Sequence, residues 1–417
     1  MTKKIVITGI GAFTPLAANA PDSWAALLRG ESGARSLPPE TTQKYEIDLP
    51  VTFAATVKES PYDHLERVQA KRLDPSSQYA LIAGREAFAD AGLEKGSIEP
   101  ERLLVDWATG IGGVWTLLDA WDTLRERGPR RVMPLTVPML MPNGPGAAIG
   151  MDLEARAGIR TVVSACASST ESVINAYEHL QSGVADVVIA GGSEAAVHPL
   201  PIAAFAAMQA LSKRNDDPAH ASRPYDTDRD GFVLGEGAAA LVLETEEHAL
   251  ARGAKIYAEV AGGGVTADAY HITAPEPEGA GASRAVEQAL AVAGATATDV
   301  VHINAHATST PVGDIAEYNA FKRVLGEHVH DVPVSATKAS TGHLLGGAGA
   351  VEAMFTALAL RDNVLPPTIN IEHLDDEIPL DVVTEAREVD LPVGGLAIST
   401  SFGFGGHNAV LALRKYA

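Results

Sequence analysis

Short apolar runs rich in β-branched residues alternate with stretches of helical periodicity along this 417-residue chain, and that alternation narrows the folds open to it. The runs are Ile5–Thr8, Leu103–Ala108, Thr161–Val163, Asp186–Ala190, Ala239–Leu243, Val300–Asn304, Val332–Ser335 and Leu396–Thr400. They carry few polar positions, which suits strands covered on both faces. Between them, Val173, Ile174, Tyr177 and Leu180 fall on one face of a helix over 169–182, and Gly183 supplies its stop. Val351, Met354, Phe355, Leu358 and Leu360 do the same over 347–360. Strands alternating with helices predict an α/β fold with mostly parallel sheets.

Two stretches of the chain resemble each other. VVSACAS from Val162 and VPVSATKAS from Val332 align with Ser164 on Ser335, 171 residues apart. VITGIGAF at Val6 and EVAGGGVT at Glu259 form a weaker second pair. A duplication would divide the chain near residue 250, after LVLETEEHALARGAK, into an N-terminal half (1–250) and a C-terminal half (251–417). No linker-like segment marks the division, so the halves are expected to pack on each other.

Fifty-three acidic against 32 basic residues give a net charge of −21, whose field repels phosphates. Nucleic acid and anionic membrane are therefore not expected partners. One cysteine, Cys166, rules out an intrachain disulfide. No apolar run reaches the roughly 18 residues of a membrane span. The opening MTKKIVITGIGAFTPLAANA imitates a signal peptide, but Ile5–Val6–Ile7 is β-branched and Gly9, Gly11 and Pro15 break a signal helix. It reads as a buried strand running into a glycine turn, in a soluble cytoplasmic protein.

Cys166 follows a strand and precedes a helix in SACASST. At a helix N-terminus, free N–H groups and the dipole favour a thiolate. A small buried hydrophobe is the competing reading. His306 follows a strand in NAHATSTPVGD, and His343 opens a predicted helix in TKASTGHLLGG. Neither has the i, i+3 or i+4 companions of a metal ligand. In STSFGFGGHN the glycines at 403, 405 and 406 build either a nest of N–H groups for an oxyanion or an ordinary tight turn. TGIGAFTP lacks the third glycine of a dinucleotide loop.

Taken together, SACASS, GGSEAAV, SKRNDDPAHASRPYDTDRDGFVLGEGA, DAYHITAPEPEGAGA, NAHATSTPVGD, TKASTGHLLGGAGAVEA, PPTIN and SFGFGGHN resemble the elongating β-ketoacyl-acyl carrier protein synthases, over essentially the whole chain. The resemblance implies a thiolase-like, five-layered αβαβα fold made by internal duplication. It implies Cys166 as nucleophile, with His306 and His343 as the two histidines of a decarboxylating elongation enzyme that uses malonyl-acyl carrier protein. The backbone N–H groups of Cys166 and Phe404 would hold the oxyanion, Phe404 would also gate the site, and Lys338 and Glu352 would form a supporting buried pair. Ile111 and Phe205 match acyl-pocket positions; isoleucine at 111 is the medium-to-long-chain, KAS II, pattern. Neither a metal nor a redox cofactor is required. The family often has Asn where this chain has Thr400, and Gly where it has Ala307.

The implied partners are acyl- and malonyl-loaded acyl carrier protein and a second copy of the chain. Arg127, Arg130 and Arg131, with Arg67, Lys71 and Arg72 as further candidates, are the expected carrier-protein docking residues; a solvated charged face is the plainer alternative. The main reading is fatty-acid elongation. Its rivals are the ketosynthase subunit of a type II polyketide or mycolate-type pathway and a non-catalytic chain-length partner subunit, which intact Cys166, His306 and His343 argue against. A thiolase would carry a second, acid–base cysteine.

Overall fold

The computed structural model describes residues 3–38, 41 and 47–417. Eleven strands form one sheet: β1 Ile5–Phe13, β2 Leu103–Ala108, β3 Gly158–Val162, β4 Val187–Glu194, β5 Gly237–Thr245, β6 Ala258–Ala267, β7 Val300–Asn304, β8 Pro333–Ser335, β9 Asp381–Val382, β10 Leu396–Gly403 and β11 His407–Arg414. Their spatial order is β9-β8-β7-β10-β11-β6-β1-β5-β4-β2-β3. Outward from the β1/β6 junction, each half runs through its own first, fifth, fourth, second and third strands. The directions match as well: two antiparallel pairings, then two parallel ones, on either side. Strand β9 is an addition at one edge. The sequence repeat falls on equivalent places, since Ser164 and Ser335 lie at the ends of the third strands and Val6 pairs with Glu259 across the junction.

Helices α1 Pro75–Asp90, α2 Ser168–Ser182, α3 Ala280–Val292, α4 Pro311–Leu325 and α5 Ala348–Asp362 complete the layers. Helices α2 and α5 lie between the two halves of the sheet. There Val173, Ile174, Met354 and Phe355 share one core with Ile5, Val188, Leu241 and Leu411. Helix α1 covers the outer face of the first half, over Val105, Trp107, Ile189 and Val242. Helices α3 and α4 cover that of the second, over Ile303, Ile398 and Val410. The result is the α/β, five-layered thiolase-like arrangement.

Strand β1 runs past its expected end. Gly9 and Gly11 are strand residues, not a turn, because α1 crosses so closely that a Cβ there would meet the Ala87 and Ala83 carbonyl oxygens at 2.2 and 2.1 Å. Glycine is required for that approach. No helix among the described residues is long and apolar enough to cross a membrane.

Candidate active site

Cys166 sits in a single 3-10 turn, Ala165–Ala167, between the end of β3 and the first residue of α2. Ala165 is held at φ +51°, a conformation unusual for a residue with a side chain. The turn is pinned by Ser168, whose hydroxyl donates to the Ala165 carbonyl and accepts from the Ser164 N–H. Gly403, at the end of β10, packs onto it so tightly that a Cβ would meet the Ser164 oxygen at 2.6 Å and the Cys166 nitrogen at 3.0 Å. The turn after it, with Gly405 and Gly406 at positive φ, leads into β11.

The backbone N–H groups of Phe404 and of Cys166 itself bear on the Cys166 sulfur. Burial opposes the thiolate that the helix start favours. Burial pushes the thiol up to about 12, while Lys338 and the two N–H groups pull it down without prevailing. A helix terminus lowers a thiol only as far as solvent or counter-charge compensates the loss of water.

His306 follows β7 in a loop fixed by one buried carboxylate. Glu317 on α4 accepts the N–H groups of His306 and Ala307 at 2.8 and 2.7 Å and the Thr400 hydroxyl at 2.7 Å. Thr400 in turn accepts the His306 N–H at 3.0 Å. Ala307, where glycine is common in the resembling family, has φ +25°. Lys338 Nζ stands 3.3 Å from His306 Nδ1 and is ion-paired with Glu352. An ammonium facing Nδ1 leaves the ring proton on Nε2.

His343 is not at a helix start. It lies in an extended bridge to Leu234, after Gly342 at φ +65° and five residues before α5. Glycine 342 breaks the helical run that TKASTGH suggests. Both His343 ring nitrogens are buried with no hydrogen-bond partner. The two imidazoles meet edge-on, 5.4 Å between centroids, and Phe232 and Phe402 flank them. Burial, reinforced by Lys338, holds both well below the ordinary histidine value, so they are neutral at pH 7. Burial also pushes Glu352 up to about 7, against the pull of Lys338.

One cavity of about 720 Å³ is lined by Cys166, His306, His343, Ile111, Phe205 and Phe404. Phe205 lies 6.5 Å from Phe404 and 5.4 Å from Phe232, ring centre to ring centre. Lys338 and Glu352 stand behind His306 and do not line the cavity. The basic candidates are elsewhere: Arg127 ends the helix Val114–Arg127, and Arg130 and Arg131 lie in the turn after it. Arg131 and Lys71 line a second cavity of about 340 Å³ beside Trp115, which shares no lining residue with the first. Sequence reasoning missed Glu317, six residues inside α4, whose link to the His306 loop has no local signal. The assembly can do thioester chemistry: a thiol, two N–H groups at the sulfur and two neutral imidazoles facing one largely apolar space.

Two family models match the chain, the β-ketoacyl synthase N-terminal domain over residues 2–249 and the β-ketoacyl synthase C-terminal domain over 257–372. A protein of Synechocystis sp. named 3-oxoacyl-(acyl-carrier-protein) synthase 2 is 44% identical over 416 residues, covering 99% of this chain and 98% of its own. Proteins of the same name from Staphylococcus aureus and Mycobacterium bovis are also 44% identical, with 99% of this chain and 99% and 97% of theirs covered. Among solved structures, a β-ketoacyl synthase from Burkholderia phymatum superposes with a TM-score of 0.90 at 35% identity, and a type II polyketide ketosynthase in complex with its acyl carrier protein with 0.91 at 29%. Both cover all of this chain and of their own.

Proposed function

The chain belongs to the β-ketoacyl synthase family, and we infer that it condenses an acyl group, taken from acyl carrier protein onto Cys166, with malonyl-acyl carrier protein to give 3-oxoacyl-acyl carrier protein and CO2 in fatty-acid elongation. The observation carrying this reading is the convergence of Cys166, His306 and His343 on one cavity, with two N–H groups at the sulfur. The polyketide alternative has support from fold likeness at 29% identity, less than the 44% of the 3-oxoacyl synthases.

The geometry supplies each step. With the Cys166 S–H protonated, its proton passes to His343 as sulfur attacks the thioester carbonyl, because His306 already bears a proton on Nε2 and faces Lys338 through Nδ1. The Phe404 and Cys166 N–H groups receive the oxyanion; one such donor is typically worth about 10²–10³ in rate. The carrier thiolate leaves with that proton. Malonyl thioester then loses CO2, and its electron pair becomes an enolate. His306 Nε2–H, its tautomer fixed by Lys338, and His343 donate to the enolate oxygen. The enolate carbon attacks the acyl-Cys166 carbonyl, and the cysteine sulfur leaves.

The chain works as a cytoplasmic homodimer whose halves are 1–250 and 251–417, the latter division supported by the repeated strand order. Among the described residues strand β3 pairs on one side only, and Ile159 in it and Val163 after it are exposed. An open apolar edge is a template for a second copy. Ile111 lines the cavity yet is 41% exposed in the single chain, so a second subunit there would complete the floor. Acyl carrier protein would dock through the two basic segments around the Arg131–Lys71 cavity.

Intact-mass spectrometry tests the reading. Wild-type protein should gain an acyl group from acyl carrier protein and Cys166→Ala should not. His306→Ala and His343→Ala should release CO2 from malonyl-acyl carrier protein far more slowly, by about 10²-fold or more. An adduct persisting in Cys166→Ala, or normal CO2 release by both histidine variants, would contradict it.

A further inference from the structure

A buried carboxylate outside the cavity joins its floor to the histidine turn. Glu194 ends β4 and is fully buried. Its Oε2 accepts the N–H of Gly110 at 2.7 Å and that of Gly346 at 3.0 Å. Its Oε1 accepts the Thr109 hydroxyl at 3.0 Å and the N–H of Ile111 at 3.2 Å. Three of the four donors therefore come from the loop that carries Ile111, and the fourth lies three residues after His343. The two backbones touch: a Cβ on Gly346 would meet the Gly110 nitrogen at 2.1 Å. No other side chain bonds to the Gly110 and Ile111 N–H groups among the described residues.

We propose that Glu194 is a positioning residue for acyl-length selectivity: it fixes where Ile111 stands in the cavity floor, and so which acyl chains fit above it. This rests on the condensing-enzyme reading. Ile111 has no helix or strand of its own: Gly112 and Gly113 after it are held by Thr109 and the Leu140 carbonyl, but its own N–H and that of Gly110 are held by the carboxylate. Burial pushes Glu194 up to about 7, against four donors pulling it down, so it is a full acceptor above that pH. An amide in its place can satisfy only one side. Its oxygen would keep the two backbone donors Gly110 and Gly346, which cannot rotate. Its nitrogen would turn to Thr109, whose hydroxyl can turn to accept, and would face the Ile111 N–H donor to donor. Glu194→Gln thus loosens Ile111 selectively.

The test is the rate of Cys166 acylation by acyl carrier proteins loaded with chains from acetyl to palmitoyl, at about pH 8, where Glu194 is ionised. In Glu194→Gln the ratio of long-chain to short-chain rates should change by about tenfold, the scale of one lost hydrogen bond to a charged group. An unchanged ratio overturns the proposal. So does an equal loss with every donor, which is what a merely structural carboxylate would give. Should Glu194→Gln not fold, Thr109→Val removes one of the four bonds and the acceptor of the neighbouring Gly112 N–H, and should move the ratio in the same direction; an unmoved ratio there overturns the proposal too. Wild-type protein that accepts no acyl chain of any length would instead sink the condensing-enzyme reading and the selectivity proposal with it, a result distinct from normal acylation with an unaltered ratio.

Discussion

Cys166 is held between opposing influences. Burial disfavours its anion, and Lys338 with the Phe404 and Cys166 N–H groups favours it. Alkylation by iodoacetamide reports the thiolate alone. Its rate in the free enzyme should climb by about tenfold per pH unit through pH 9 without levelling, since burial pushes the thiol up to about 12. A plateau between pH 7 and 9 would show a free-enzyme thiolate. Lys338→Met removes the nearby cation and should slow alkylation further. A second residue-scale prediction concerns Thr400. Its hydroxyl bridges Glu317 and the His306 N–H. Thr400→Val leaves a buried carboxylate oxygen short of a donor, costing about 1–3 kcal/mol. It should slow malonyl decarboxylation more than it slows acyl transfer to Cys166, measured as CO2 release against adduct mass. Equal slowing would place Thr400 in the fold and not in the His306 loop.

At the scale of elements, the segment 222–230 latches the far end of the site. Asp226 is fully buried and accepts from Arg223 Nε at 2.9 Å and from the N–H groups of Asp228, Glu372 and His373 at 2.8, 2.7 and 2.9 Å. Arg229 reaches Asp375 at 2.7 Å and the Pro311 carbonyl at the start of α4. Burial opposes the Asp226 anion, but Arg223 and the three N–H groups outweigh it and hold it down at about 2. Asp226→Asn leaves the buried Arg223 with only the exposed Glu372 carboxylate at 3.4 Å, which should cost up to about 3 kcal/mol in urea unfolding. A depressed carboxyl contributes its stability above the unfolded value and loses it as pH falls towards the folded one. The stability gap between wild type and variant should therefore be constant above about pH 5 and shrink on the way to pH 2. A pH-independent gap would mean that the loss comes from packing. This latch also marks where reading the sequence stops. Strands β2 and β7 and helix α2 were legible to within a residue, because apolar runs and a stop glycine are local signals. The sulfur, the imidazoles and Phe404 were legible through motif order. The route of β1 past two glycines, the bridge holding His343 and the carboxylates of Glu317, Glu194 and Asp226 depend on partners tens to hundreds of residues away, which no local pattern encodes.

On the scale of the whole molecule, the edge of β3 is where the proposed dimer would form. Lysine is a common way of blocking an exposed edge. Ile159→Lys should give a monomer in analytical ultracentrifugation where wild type gives a dimer, and should blunt acyl-length discrimination by leaving the Ile111 side of the cavity open to solvent. A dimeric Ile159→Lys protein would place the interface elsewhere. The central position of β1 has a further consequence. Ile5 pairs with Thr245 on one side and Val260 on the other. During synthesis at about 5–20 residues per second, the first strand made waits for tens of seconds before either neighbour exists. The β1 junction cannot close earlier, whereas β2 pairs with β3 and β4, and all three are complete before residue 195. The apolar ribbon of β1 stays without a strand partner for most of translation, with only α1 available to cover it, so yield should depend on elongation speed.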